Sequence, residues 1–243
     1  TVITFLRADP AVIGGLLRRP TRLVLALLWL TALPPLLIGG LIWLIGRDAM
    51  DPGLLLGLAI FGAAPPIMSG PAIAILYGFE PSLIIASMLS LTMLAPLYSP
   101  LMVDLLAGQA VPLDPSILMM RLAGLIGGGV VTALILRRVL GVGRVQAIKS
   151  ELDGFGVVMY FIFAIAAMDG VTDAAMVRPA LVTSFLVYVF VLAGLGMILS
   201  LLALQFLNVP DRFTIGYCAL QRNMGLLIAA LGPGVPPNTY LFF

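Results

Sequence analysis

The chain has 243 residues, 61% of them hydrophobic and 10% charged, with a net charge of +2 and a mean hydropathy of +1.16. A soluble domain of this size needs a far more polar surface, so the composition implies an integral membrane protein, and so small a charge excludes a nucleic-acid-binding face. With no histidine and one cysteine, Cys218, disulfide frameworks, the usual zinc sites and His-based catalytic triads are excluded too. The expectation is a protein that is not an enzyme and holds no metal and no cofactor.

A bilayer core about 30 Å thick is crossed by roughly 20 apolar residues in a helix. In chain order, the apolar runs predict spans at Arg22 to Gly46, Leu54 to Phe79, Ser82 to Ala107, Pro115 to Leu136, Phe155 to Val171, Pro179 to Leu207 and Phe213 to Leu231. An eighth opens near Asn238. The residues before Arg22 carry no cleavable signal pattern and read as the tail of an earlier span, so the chain is expected to be a fragment.

Lys and Arg accumulate in cytoplasmic loops. One set of alternate loops holds Arg18, Arg19, Arg22, Arg137, Arg138, Arg144, Lys149 and Arg212; the other holds Arg47 and Arg178 beside Asp48, Asp51, Asp114, Asp169 and Asp173. Eight basic residues against two put the first set inside the cell. Asp104 and Arg121 then fall near the outer ends of their spans, where they could pair.

Two spans carry features that a plain anchor would avoid. In GLAIFGAAPPIMSGPAIAILYGF, the prolines Pro65, Pro66 and Pro71 flank Ser69 and Gly70 at mid-span. Proline removes a backbone donor and clashes with the preceding turn, so this helix should unwind. In GYCALQRNMGLLIAAL, the polar Gln221, Arg222 and Asn223 interrupt the last span. A charged residue at that depth costs roughly 2.5 to 3.5 kcal/mol and marks a functional site by default. Arg-Pro opens the span before each broken one, at Pro20 and at Pro179, but the charge bias puts the first inside and the second outside. From Pro20 to Pro65 is 45 residues, and from Pro179 to Gln221 is 42. Similar spacing with opposite orientation predicts an inverted-topology repeat, whose broken helices meet at a midplane site.

These segments, and the stretch EPSLIIASMLSLTMLAPLYSPLMVDLLAG after the first, resemble the bile acid:sodium symporter superfamily. Its members carry a proline-rich crossover helix, then a polar helix ending in a Ser-Pro or Ala-Pro element, and later a second crossover with a Gln-Asn-x-Gly-Leu-like motif. The resemblance implies an all-α integral membrane protein, an inverted-repeat secondary transporter with ten spans, of which about seven to eight are present here. Residues 1–243 form one transmembrane transporter domain, with three spans of the first repeat in 22–107 and a truncated second repeat in 115–243. It implies alternating access for a small or amphipathic organic anion across the inner, or plasma, membrane of a bacterium, with the lipid bilayer and that anion as partners and no nucleic acid.

The chain departs from the family at the sodium site. The glutamate of the second crossover aligns with Cys218, and the Ser-Asn pair of the first aligns with Gly70 and Pro71. Hard cations need several oxygen ligands, and Ser90, Thr92 and Gln221 remain as candidates without a carboxylate. Sodium coupling by the usual site is therefore not expected. The substrate-binding candidates are Pro65, Ser69, Gly70, Pro71, Gln221, Arg222 and Asn223. Arg222 has two readings: it stands in for a structural cation by donating to carbonyls freed in the unwound crossovers, or it holds a substrate carboxylate by a forked pair of hydrogen bonds. Tyr98 is assigned to packing or to an interface, and Cys218 to packing. The alternatives are a sodium-independent or proton-coupled carrier of the arsenite-permease kind, or a membrane sensor or scaffold that transports nothing.

Overall fold

Where no water can pair a backbone amide, a segment must satisfy its own N–H and C=O groups, and runs of Leu, Ile, Val and Ala can do so only as helices. The computed structural model describes residues 2–7, 20–67, 69–108, 114–167, 171–232 and 235–242; Arg18, Arg19 and Asp169 lie outside the described residues. The helices are α1 (Val2–Arg7), α2 (Pro20–Ile45), α3 (Pro52–Ala63), α4 (Ser69–Leu76), α5 (Ser82–Ala107), α6 (Pro115–Leu140), α7 (Val142–Ala147), α8 (Lys149–Ala167), α9 (Val171–Val177), α10 (Pro179–Ala203), α11 (Val209–Leu220) and α12 (Met224–Leu231). Short 3-10 turns occupy Arg47–Ala49 and Pro237–Phe242, the second where an eighth span was expected to open.

Among the described residues four helices, α2, α5, α6 and α10, are long and apolar enough to cross a membrane. Their 25 or 26 residues reach about 38 Å at 1.5 Å per residue. The two spans with expected interruptions are each two helices: α3 and α4 in one, α11 and α12 in the other.

Helix α3 lies at the centre. Its sequence, PGLLLGLAIFGA, is apolar all round, as a helix enclosed by protein must be, and every residue from Gly53 to Ala63 is buried. It packs against α2, α5, α12 and the Pro237–Phe242 turn. Of the four long helices, α5 is the inner one, 61% buried along its apolar stretch, whereas α10 is 22% buried and turns most of its Leu, Val and Phe outward, as toward lipid.

Polar contacts gather at two opposite ends. Asp51 caps α3 by accepting from the Gly53 and Leu54 amides, and its other oxygen accepts from Asn238 Nδ2 at 3.0 Å. Arg178 Nη2 donates to Asn238 Oδ1 at 3.0 Å, so Asp51 and Arg178, both assigned to the outer side, meet on Asn238. At the other end Arg22 approaches Asp211 at 3.9 Å, beside the ring cluster of Tyr77, Phe79 and Phe213. Arg121 forms no ion pair with Asp104. Its Nη1 instead donates to the Leu231 carbonyl at 2.7 Å and to Ala230 at 3.3 Å, because the last turn of α12 ends at Gly232 with acceptors that no helical amide fills.

Partial burial pushes the Asp211 carboxyl above its ordinary value; Arg22 opposes this and Glu80 adds to it. A carboxyl whose native pKa is raised stabilises the fold least when ionised, so stability falls as pH rises from the unfolded value through the native one. Asp211→Asn should therefore melt slightly higher at neutral pH, by a few tenths of a kcal/mol after solvent screening. The difference should vanish in acid, where both side chains are neutral, and melting curves of the two proteins across pH measure it.

Candidate functional site

The first break follows from its prolines. Pro65 and Pro66 bring no N–H to the end of α3, so the backbone from Ala64 to Ile67 runs extended. Pro71 falls in the first turn of α4, where a missing N–H costs nothing. Ser69 opens α4; its side chain lies outside the described part of the structure. The Ala63 carbonyl is filled from α5, where Ser99 Oγ donates to it at 2.7 Å.

The second break contains no proline. Helix α11 ends at Leu220, Gln221 is extended at φ −97° and ψ 97°, and α12 starts at Met224. The first break supplies the cause. Ile67 N–H donates to the Gln221 carbonyl at 2.8 Å and Asn223 N–H to the Pro65 carbonyl at 2.7 Å, an antiparallel bridge pairing Pro66 with Arg222. The proline-broken segment offers a donor and an acceptor, and unwinding the second segment satisfies both. In extended backbone successive side chains point to opposite sides. Arg222 accordingly turns inward, 5% exposed, while Gln221 is exposed and Asn223 half-buried.

The helices beside the bridge touch at Gly70 and Cys218. A Cβ on Gly70 would collide with Cys218 Sγ. Gly70→Ala should therefore destabilise the protein by about 1 to 3 kcal/mol through overpacking. Adding Cys218→Ala should recover most of that loss, and the melting temperatures of the single and double variants give the coupling.

Arg222 Nη1 donates to the Leu30 carbonyl of α2 at 3.0 Å. That acceptor is available because Pro34, inside α2, has no N–H to give to the residue four positions earlier. The carbonyl it takes is thus freed by a proline in α2, and not by either crossover as expected from the sequence. The other two guanidinium nitrogens, Nε and Nη2, are buried and have no hydrogen-bond partner, and among the described residues no carboxylate lies within ion-pair distance.

Tyr98 lies on α5, one residue before the Ser99 that fills the Ala63 carbonyl. Its hydroxyl is near Ser99 but is buried with no hydrogen bond. From the sequence alone Tyr98 is expected to pack or to sit at an interface. The signal that could have singled it out is its place in APLYSP, between Pro96 and Pro100, where polar groups cluster in an apolar helix.

The proposed cation ligands do not assemble. Ser90 and Thr92 are two residues apart on α5 and so point in nearly opposite directions. Among the described residues no hydrogen bond joins either to Gln221, which is exposed. Three carbonyls at the crossing, those of Ala63, Pro65 and Gln221, already accept from protein donors. The two unpartnered guanidinium nitrogens of Arg222 are donors, and an anion is what they would suit.

A groove of about 870 Å³ between α2 and α5 is lined chiefly by apolar groups such as Leu28, Leu36, Trp43 and Leu105, with Arg47 at one end. Neither crossover contributes to its wall, so the candidate site is the crossing and not this cavity. The crossing has to be read on its own chemistry, because no protein-family model and no curated protein matches the chain.

Proposed function

We propose that the chain is a secondary carrier that moves a small organic anion across the membrane by alternating access, with its site where the two broken helices cross. One observation carries this reading: two interrupted helices are joined through a backbone bridge, and the residue at the centre of the bridge is a buried, unneutralised Arg222. Broken helices that meet near the midplane bring half-helix N-termini to a substrate, and here α4 and α12 both begin at the crossing. The inverted-repeat arrangement and the kinship with bile acid:sodium symporters belong to the same proposal, supported by the order of α2, α3, α4 against α10, α11, α12.

Pro65, Gly70, Pro71 and Asn223 shape the crossing through backbone and packing, Ser69 begins α4 there, and Arg222 supplies the charge. Gln221 takes part through its carbonyl. Sodium coupling is left out of the proposal, because Ser90 and Thr92 lie on different faces of α5 and neither joins Gln221.

Uptake of labelled short-chain carboxylates into proteoliposomes tests the reading. Saturable accumulation that agrees within a few-fold in sodium and in choline is expected. Binding without accumulation would make the protein a sensor, and a hundredfold dependence on sodium, about 2.7 kcal/mol of linkage, would reveal a cation site elsewhere.

A further inference from the structure

Two basic residues, Arg47 and Arg178, stand on the side that the charge bias assigns as outer. Arg178 donates to Asn238. Arg47 is exposed, and neither of the neighbouring acids, Asp48 and Asp104, comes within ion-pair distance of it. It nevertheless has a fixed place. Its Nη2 donates to the Leu105 carbonyl near the end of α5 at 3.2 Å, where a helix C-terminus favours a cation. Gly108, at φ +60°, leaves room for Nη1, which a Cβ there would strike. The bond to Leu105 uses one of five guanidinium N–H groups. A held, unneutralised cation remains, with donors to spare.

Arg47 stands at one end of the apolar groove between α2 and α5. Leu36, Trp43 and Leu105 in its wall are 70%, 84% and 65% exposed, so the groove is open along its length. Gly39 and Gly40 bring no side chain to fill it, and the Thr31 hydroxyl in its lining is already spent on the Leu27 carbonyl. From Arg47 back to Pro35 is 12 residues, or about 18 Å of chain, and half of a hydrocarbon core about 30 Å thick is about 15 Å. Arg47 therefore reaches the depth at which a leaflet carries its phosphates, with Trp43 one turn below it in the aromatic zone.

We infer that the groove seats an acyl chain of a phospholipid from the outer leaflet, with the lipid's phosphate on Arg47. Apolar walls alone would take any hydrocarbon, and an exposed cation alone any anion. A cation fixed at the end of an apolar groove, at headgroup depth, matches a molecule in which an anionic oxygen cluster is bonded to a hydrocarbon tail. In a bilayer the phospholipid is the most abundant molecule of that kind. The inference does not depend on the carrier reading, and it gives a reason for a cation on the side where the bias disfavours one.

The test uses the purified protein, stripped of lipid in detergent, with dioleoylphosphatidylglycerol as probe. Dioleoylglycerol supplies the same chains without phosphate, and glycerol phosphate supplies the phosphate without chains. The phospholipid should raise the melting temperature saturably, and native mass spectrometry should find one retained per chain. Dioleoylglycerol should bind at least tenfold more weakly, and glycerol phosphate should give no shift. Arg47→Gln should weaken the phospholipid about tenfold, while Arg47→Lys, which keeps the charge, should stay within a few-fold of the parent. Gly40→Phe fills the groove from a position whose Cβ meets nothing within 4 Å, so it should fold and lose the retained lipid.

Equal binding of dioleoylglycerol and the phospholipid would overturn the inference, as would phospholipid affinity undiminished in Gly40→Phe. If Gly40→Phe fails to fold, Arg47→Gln decides alone: affinity equal to the parent's removes the phosphate from Arg47 and with it the site. A dimer in lipid-free detergent that Gly40→Phe dissociates would assign the groove to a second copy of the chain instead. Carboxylate uptake unchanged in Arg47→Gln leaves the carrier standing whichever way the lipid result falls.

Discussion

Arg222→Met is expected to melt higher than the parent, by roughly 4 to 8 °C, and to lose the uptake of short-chain carboxylates. The substitution leaves the Leu30 carbonyl without a donor, a loss of about 1 to 3 kcal/mol. Against this, it removes a buried charge that no acid neutralises, along with two unpartnered donors, for which the penalty in proteins is several kcal/mol. The second effect is larger, so stability rises by about 2 kcal/mol; in a chain of this length each kcal/mol is worth roughly 2 to 4 °C. A structural staple would behave in the opposite way. A fall in melting temperature would show that the Leu30 bond outweighs the charge and that Arg222 serves the fold before any ligand.

Pro34→Ala tests the other half of that bond. In an ordinary helix, replacing an interior proline by alanine stabilises by about 3 kcal/mol. Here the restored N–H at position 34 claims the Leu30 carbonyl that Arg222 holds, while Pro35 keeps its own gap in the ladder. The guanidinium then loses a charge-assisted hydrogen bond worth about 1.5 to 3 kcal/mol, and the usual gain nearly disappears. In the Arg222→Met background nothing competes for the carbonyl and the full gain should return. Unfolding measurements on the two single variants and the double give a coupling of about 2 kcal/mol. Simple additivity would mean that Arg222 and the new amide share the oxygen through its two lone pairs, and the dependence of Arg222 on Pro34 would be withdrawn.

How much of this was legible in the sequence depends on the range of the cause. The first break was legible because its cause is local: Pro65 and Pro66 cannot donate, whatever surrounds them. The second was legible as an anomaly of polarity, but its cause is the edge of a segment about 150 residues earlier in the chain. The outward turn of Gln221 followed from extended backbone and could not be read from a segment taken as helix. Pro34 announced an orphan carbonyl at Leu30 four residues before it, yet only the packing of α2 against α11 brings Arg222 to that carbonyl. The pairing of Ser90 with Thr92 failed on helical geometry that was available from the start, since residues two apart do not share a face.

The bridge also sets an order of events during synthesis. At roughly 1.5 Å per residue, the 12 residues of α3 reach about 18 Å and the 8 of α4 about 12 Å, so neither crosses a hydrocarbon core about 30 Å thick unaided. Among the described residues, the N–H of Ile67 pairs with the Gln221 carbonyl and the C=O of Pro65 with the Asn223 amide. A ribosome adding 5 to 20 residues per second needs roughly 8 to 30 seconds to travel from one to the other. Over that interval the first broken segment carries unpaired backbone that lipid cannot satisfy. It must wait at the interface, in the insertion machinery or against a chaperone until the second is made. Ribosomes stalled before Gln221 should hold the segment from Leu54 to Phe79 open to water-soluble probes, while α2 and α5 on either side are already shielded by the bilayer.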